Sequence, residues 1–182
     1  MHKAEPPQEL LQCYDDQGSP IDSKTRAEIK ANPGTYWCGV VNVWVVNSEG
    51  QLLCSKRSKG LSGNPGKWQT YFGGHIPAGL GFREAAVKEL GEETGIHFEE
   101  NSLFFIHRGK DDVNKKFFES YAVRFNGQPS DLVFTDGEIT EARWMPIEEY
   151  VADEAQNPER WCNGCKPERR KAIQEWVSTF QK

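Results

Sequence analysis

The chain of 182 residues has neither a long apolar run nor an excess of basic residues. No segment approaches the roughly 20 apolar residues that a membrane helix requires, and Met1 leads into no signal-like segment. We therefore expect a cytoplasmic protein with no membrane partner. The net charge of −5 also argues against duplex nucleic acid as a partner, because duplex-binding domains usually carry a basic surface.

Cysteines are few, odd in number and scattered along the chain. A chain of this length can bury a substantial core without disulfides, so we expect reduced thiols. Cys162 and Cys165 have the spacing of a metal-binding knuckle, but no second pair and no histidine lies near them in the sequence. A reducible disulfide or a plain turn is the better interpretation of that pair. The five cysteines are Cys13, Cys38, Cys54, Cys162 and Cys165.

Apolar residues make up 37% of the sequence and charged residues 27%. These proportions are typical of a globular protein, and the length suits one domain. We expect residues 1–182 to form a single domain, in which 1–35 is an N-terminal extension packed on the rest and 151–182 is a C-terminal helical tail.

The most informative segment runs from Gly73 to Ile96. Its first part is a loop with four glycines, a proline and no helical period. Its second part, from about Phe82 to Thr94, has helical composition and ends before Gly95, where a helix C-cap glycine belongs. The spacing of its apolar residues predicts one buried stripe, formed by Ala86, Val87 and Leu90.

Three acidic residues of this predicted helix, Glu89, Glu92 and Glu93, stand at i, i+3 and i+4 and project from one side. Their mutual repulsion destabilises the helix by a few tenths of a kcal/mol per solvated pair. A bound hard cation makes the same clustering of carboxylates favourable. A solvated acidic face is the alternative. The glycine loop favours a Mg²⁺ or Mn²⁺ site, because its backbone can fold back beside these carboxylates.

This loop and helix resemble the Nudix box, whose pattern is Gly, five residues, Glu, seven residues, Arg-Glu-apolar, any residue, Glu-Glu, any residue, Gly-apolar. Gly74 stands on the opening Gly and Glu89 on the central Glu, whereas Leu80 replaces the first Glu and Lys88 replaces the Arg. In the family these two positions help to orient the metal ligands. Lysine lacks the bidentate fork of arginine, although Glu84 lies one helical turn before Lys88 and could pair with it.

The resemblance implies metal ligation by Glu89, Glu92 and Glu93, with help from the backbone carbonyl of Gly74. A weaker likeness, over roughly residues 10 to 150, is to the Nudix branch related to isopentenyl-diphosphate isomerase. It rests on runs such as 13–18, 52–58, 66–68 and 138–146.

Strand-forming patterns on either side of the central helix, with a helix at the end of the chain, indicate an α/β fold with a mixed sheet covered on both faces. The resemblance implies the Nudix α/β/α sandwich. The predicted strands are 10–14, 36–46, 51–55, 68–72, 102–108, 116–125 and 141–145, and the further helices are 23–30, one from Pro146, and 168–180.

Further residues are candidates for contact with substrate. Glu138, in a loop, is interpreted as an additional metal ligand or base, or as an exposed acid. Glu119 shares a strand face with Tyr121 and lies either in a pocket, with a raised pKa, or at a solvated strand edge. His75 follows the box glycine and either orients the loop or contacts phosphate. Arg57, Lys59 and Lys67 carry charges that suit a diphosphate or are ordinary surface charges.

Three functional hypotheses follow. The first is a Mg²⁺- or Mn²⁺-dependent Nudix hydrolase that splits a small-molecule diphosphate, a nucleoside diphosphate linked to another moiety, with Glu92, Glu93 or Glu138 in catalysis. The second is an isomerase of isoprenoid diphosphates, in which Glu119 falls near the family's catalytic Glu but Gly73 stands in place of its catalytic Cys. The third is a catalytically weak nucleotide-binding module. The sequence leaves open whether the chain forms a homodimer.

Overall fold

A computed structural model describes residues 9–134, 137–162 and 166–179. These residues form an eight-stranded sheet and four α-helices. In chain order the elements are β1 (Leu10–Tyr14), β2 (Pro20–Thr25), α1 (Arg26–Ala31), β3 (Trp37–Val46), β4 (Gln51–Arg57), β5 (Trp68–Gln69), α2 (Phe82–Thr94), β6 (Phe104–Asp111), β7 (Lys116–Arg124), β8 (Ile139–Pro146), α3 (Ile147–Gln156) and α4 (Pro167–Ser178).

The sheet is mixed, as the sequence predicts. Strands β3 and β7 run parallel along their whole length, from the pair Cys38–Lys116 to the pair Val46–Arg124. The other pairings are antiparallel: β1 with β2 and β3, β4 with β3, β5 and β8, and β6 with β7. The strand β3 is buried on both faces, which explains its nearly continuous apolar sequence.

Helices cover the two faces of this sheet. Because side chains alternate along a strand, Val41 and Val43 pack toward α2 and meet Leu90 there. Trp44 points to the opposite face and shares a core cluster with residues of α3 and α4, including Ile173. The α/β prediction, with a sheet between helical layers, is confirmed.

Element boundaries agree best where the signal is local. Helix α2 and strand β1 have the predicted bounds. The predicted helix 23–30 is wrong at its start, because Thr25 ends β2 and serves as the N-cap of α1. Its hydroxyl accepts a hydrogen bond from the Glu28 N–H at 3.1 Å, and the Glu28 carboxylate accepts one from the Thr25 N–H at 2.8 Å. Arg26 therefore begins the helix.

Two observations concern the thiols and the membrane spans considered in the sequence analysis. Cys13, Cys38, Cys54 and Cys162 are free and buried, whereas Cys165 lies outside the described residues, so the Cys162–Cys165 interpretation stays a prediction. Among the residues that the structure describes, no helix is long and apolar enough to cross a bilayer.

Candidate active site

The glycine loop runs directly beside the central strand. The Val41 N–H donates to the Gly74 carbonyl at 2.9 Å, and Val43 exchanges two backbone hydrogen bonds with Phe72. At Gly73, where φ is +142°, a Cβ would lie 2.1 Å from the Val41 carbonyl oxygen. Only glycine fits that backbone, and this fit brings the loop between β3 and the acidic side of α2.

Glu93 is fixed by this loop. Its carboxylate accepts a hydrogen bond from the Gly73 N–H at 3.0 Å, and the residue is only 6% exposed. A buried carboxylate needs such donors to stay ionised. The contact holds one oxygen of Glu93 in place beside the loop.

Glu89 lies against the next glycine. A Cβ on Gly74 would be 2.6 Å from one carboxylate oxygen of Glu89, so the side chain occupies space that any larger residue would take. Burial raises the pKa of Glu89 to about 7, and the nearby Lys88 charge opposes that rise. Within the described residues no hydrogen-bond donor reaches this carboxylate.

Glu92 has a different environment. Its side chain is 56% exposed and forms an ion pair with Lys88 at 2.6 Å. The suggested pair of Lys88 with Glu84 does not form; instead, Glu84 accepts a hydrogen bond from the Gly81 N–H at 2.8 Å and caps α2. Among the described residues, the three glutamates do not converge into a ready metal-binding cluster.

The residues nevertheless fit a divalent cation. Carboxylate and carbonyl oxygens are the donors that Mg²⁺ and Mn²⁺ prefer. Glu89 is a largely buried carboxylate that lacks a donor partner, and Gly74 makes room for it. The Gly74 carbonyl already accepts the Val41 N–H but has a second lone pair. Glu92 would join the site on leaving Lys88.

Two residues that the sequence did not single out stand next to this loop. Arg26 lies 3.3 Å from the Nδ1 atom of His75 and forms an ion pair with Glu9 at 2.7 Å. Both Arg26 and Glu9 also affect the pKa of Glu89, although less than burial does. No local pattern could have revealed this group, because Arg26 and His75 are 49 residues apart in sequence.

Glu119 and Tyr121 occupy the same sheet face, as the sequence predicts. The Tyr121 hydroxyl donates a hydrogen bond to the Glu119 carboxylate, and Arg108 approaches the same carboxylate at 3.5 Å. Tyr121 is 2% exposed, and burial followed by this hydrogen bond raises the pKa of its hydroxyl. Glu119, at 14% side-chain exposure, is more open than Tyr121, and Arg108 is exposed.

The other candidates lie at the end of β4 and in the loop that follows it. Arg57 donates to the Gly63 carbonyl and to the Gln69 side chain, which supports the loop after β4. The backbone N–H of Ser58 donates to the Glu138 carbonyl at 2.7 Å, so Glu138 lies next to the end of β4. Lys59 and Lys67 belong to the same loop, where a Cβ on Gly66 would contact the Lys59 side chain.

A family model of the NUDIX domain matches residues 38–162, more than half of the chain. The chain belongs to the Nudix hydrolase family. The matched range contains β3 to β8, the glycine loop and the acidic helix, so the predicted family is confirmed and a Nudix-type hydrolase is the enzyme class it supports.

Individual Nudix relatives agree with this result. An uncharacterized Nudix hydrolase of Pseudomonas aeruginosa is 33% identical over 107 residues, which are 57% of this chain and 62% of that protein. The match thus spans less than two thirds of that relative. An isopentenyl-diphosphate Delta-isomerase of Halorhodospira halophila is 28% identical over 92% of this chain and 94% of its own length. A crystal structure of a Deinococcus radiodurans protein superposes with a TM-score of 0.70 at 21% identity, over 96% of this chain and 100% of that one, and shows the shared fold.

Proposed function

We propose that this Nudix protein hydrolyses the diphosphate linkage of a nucleoside diphosphate joined to another moiety, with Mg²⁺ or Mn²⁺ as cofactor. The observation that carries the proposal is the packing of α2 on the glycine loop. Glu93 bonds to the Gly73 N–H at 3.0 Å, and Glu89 fits against the Cα of Gly74. This packing brings Glu93 to Gly73 and Glu89 to Gly74, two neighbouring residues of one loop, and so supports a shared cation.

Each residue has a distinct part in the proposed reaction. Glu89, Glu92, Glu93 and the Gly74 carbonyl would hold the cation, which when bound neutralises phosphate oxygens and lowers the pKa of a coordinated water. Glu92, Glu93 or Glu138 would accept the proton of the attacking water.

The substrate contacts proposed from the sequence divide by location. His75 and Glu119 flank the loop and the helix, and they are the candidates for direct contact with substrate. Tyr121 is buried and would act through its hydrogen bond to Glu119. Arg57 and Lys67 would attract the diphosphate by charge from the end of β4.

The proposal is tested by incubating the full chain with a panel of nucleoside diphosphate conjugates and Mg²⁺. Release of a nucleoside monophosphate from at least one of them, abolished by EDTA and by Glu93→Gln, supports it. Lack of turnover across the panel with both Mg²⁺ and Mn²⁺ would reject the hydrolase.

A second candidate is an isoprenoid diphosphate isomerase, favoured by the Halorhodospira relative that aligns over 92% of this chain. The backbone at Gly73 argues against it. The isomerase resemblance places a catalytic cysteine there, and a Cβ would lie 2.1 Å from the Val41 carbonyl oxygen. Incubation with isopentenyl diphosphate, followed by analysis for its allylic isomer, separates the two activities.

A third candidate is a binding module with little turnover. The ion pair of Lys88 with Glu92, at 2.6 Å, favours this candidate because it draws one carboxylate away from the other two. Calorimetric binding of a nucleoside diphosphate conjugate without any turnover would support this candidate over the hydrolase.

A further inference from the structure

The N-terminal part of the chain places a fixed guanidinium group beside the glycine loop. The Nε and Nη2 atoms of Arg26 donate to the same Glu9 oxygen, at 3.1 and 2.7 Å. The Arg26 backbone N–H also donates to the Glu9 carbonyl, at 3.3 Å. Both side chains are about one quarter exposed, 24% for Arg26 and 26% for Glu9. This pair is more protected than the Lys24–Asp22 pair, whose side chains are 28% and 56% exposed.

A further nitrogen of this guanidinium reaches the loop. Arg26 Nη1 lies 3.3 Å from His75 Nδ1. Arginine has only donors, so a hydrogen bond here requires Nδ1 to accept, and the contact favours the tautomer with its proton on Nε2. His75 pairs with Val40 in a β-bridge and follows Gly74, against which Glu89 packs. The contact therefore ties the Arg26 guanidinium to the residue that follows Gly74.

We propose that Arg26, held by Glu9, is a positioning residue for the cation site. It orients His75 and the Gly74 segment and so supplies, from another part of the chain, the support that the Nudix pattern assigns to the positions of Leu80 and Lys88. The inference rests on the proposed function, because it assigns a role within the same cation site.

The behaviour of the two box positions favours this division of roles. Lys88 is committed to the exposed Glu92, and Leu80 packs against the apolar core cluster. Leu80 thus anchors the loop by apolar packing but supplies no carboxylate, and the Lys88 charge is paired on the exposed side of α2. The guanidinium contacts His75, the residue after Gly74, and so lies on the loop side of α2.

An alternative role of Arg26 is purely electrostatic, and it predicts the opposite change in cation affinity when Arg26 is replaced. A positive charge near a cation site repels the cation, so its removal alone should strengthen binding. Positioning predicts weaker binding when the guanidinium fork is lost, even if the charge is kept. Arg26→Lys keeps the charge and loses the fork, whereas Arg26→Met loses both.

The test is a Mn²⁺ titration by calorimetry on the full chain, compared between wild type, Arg26→Lys and Arg26→Met. The matched control is Lys24→Met, which removes the same charge from β2, where Lys24 pairs with Asp22. We expect both Arg26 variants to bind Mn²⁺ about 10-fold more weakly or worse, and the control to stay within about 2-fold. Wild-type affinity in Arg26→Lys, or tighter binding in Arg26→Met, would overturn the positioning role.

A second readout is independent of metal and of activity. Imidazole nitrogen NMR should show the Nε2–H tautomer of His75 in the wild type and a mixture of tautomers in both Arg26 variants. An unchanged His75 spectrum in Arg26→Lys would also overturn the proposal. If Arg26→Met fails to fold, Arg26→Lys and Glu9→Gln carry the same test. Absence of Mn²⁺ binding and turnover in the wild type would count against the proposed function, whereas the His75 spectrum still reports on the contact itself.

Discussion

The Glu93 carboxylate and the Gly73 N–H are joined by a hydrogen bond of 3.0 Å, which connects the acidic helix to the loop 20 residues before it. This bond depends on a backbone that only glycine adopts, because Gly73 has a φ of +142° and no room for a Cβ. The backbone conformation of Gly73 therefore constrains the candidate site, and the position of the Glu93 carboxylate depends on it.

Replacing Glu93 by glutamine should separate chemistry from stability. The amide oxygen of glutamine can still accept the Gly73 N–H, so the unfolding midpoint should change little. Loss of the negative charge should lower metal-dependent hydrolysis by more than about 100-fold. Steady-state kinetics with Mg²⁺ and a thermal melt check both parts. Glu84→Gln, on the same helix but at its N-terminal cap, is the matched control and should keep near wild-type activity.

Gly74→Ala should damage the site sterically. The new Cβ would lie 2.6 Å from a Glu89 oxygen, so the carboxylate must move, and we expect Mn²⁺ affinity to fall about 10-fold or more. Gly63→Ala is the control, because nothing lies within 4 Å of a Cβ at that position. Equal Mn²⁺ affinities of the two alanine variants in calorimetry would show that the Gly74–Glu89 contact is irrelevant to cation binding.

The metal-free protein should lose stability as pH rises. Burial raises the pKa of Glu89 to about 7 in the folded state, above the ordinary value near 4.3 in the unfolded chain. Between these two values the folded protein holds a proton that the unfolded chain has released, so the free energy of unfolding falls with increasing pH. The effect is complete above pH 7 and amounts to at most about 4 kcal/mol.

Glu89→Gln removes this titration. In EDTA the variant should therefore melt at a higher temperature than the wild type at pH 8, and the difference should vanish near pH 4. Melting curves across that range provide the measurement. A constant difference between the two proteins at all pH values would contradict a raised pKa at Glu89.

Tyr121→Phe should test the buried pair on the adjacent strand face. The hydroxyl donates to Glu119, and its removal leaves Arg108 as the neighbour of that carboxylate. A hydrogen bond to a charged group contributes about 1.5–3 kcal/mol, so urea unfolding should show a loss in this range. Tyr36→Phe, at a half-buried position, should cost less than about 0.5 kcal/mol. Similar losses of unfolding free energy in the two variants would show that the hydrogen bond to Glu119 does not stabilise the fold.

Features set by local sequence could be predicted, whereas features set by contacts between distant segments could not. The limits of α2 could be predicted because its apolar spacing and Gly95 are local signals, and Gly95 indeed adopts the left-handed conformation with φ of 73°. The shared face of Glu119 and Tyr121 follows from the period of a strand. Their depth could not be predicted, because it depends on how α2 covers the sheet.

The choice of side-chain partners could not be predicted from the sequence. The pairing of Lys88 with Glu92 and not Glu84 is a choice between two neighbours at equal spacing, decided because Glu84 caps the helix through Gly81. The Arg26–His75 contact has no local signal at all. It forms because Thr25 pairs with Leu10, and the backbone of β1 bonds to Ile76 and Ala78 of the glycine loop, which brings the start of α1 beside that loop.

The most direct test of the central claim is a calorimetric titration of the full chain with Mn²⁺, repeated with a Glu89→Gln, Glu93→Gln double variant. The account predicts saturable binding to the wild type that strengthens from pH 6 to pH 8 and is lost in the double variant. No Mn²⁺ binding to the wild type, or equal binding to both proteins, would contradict it.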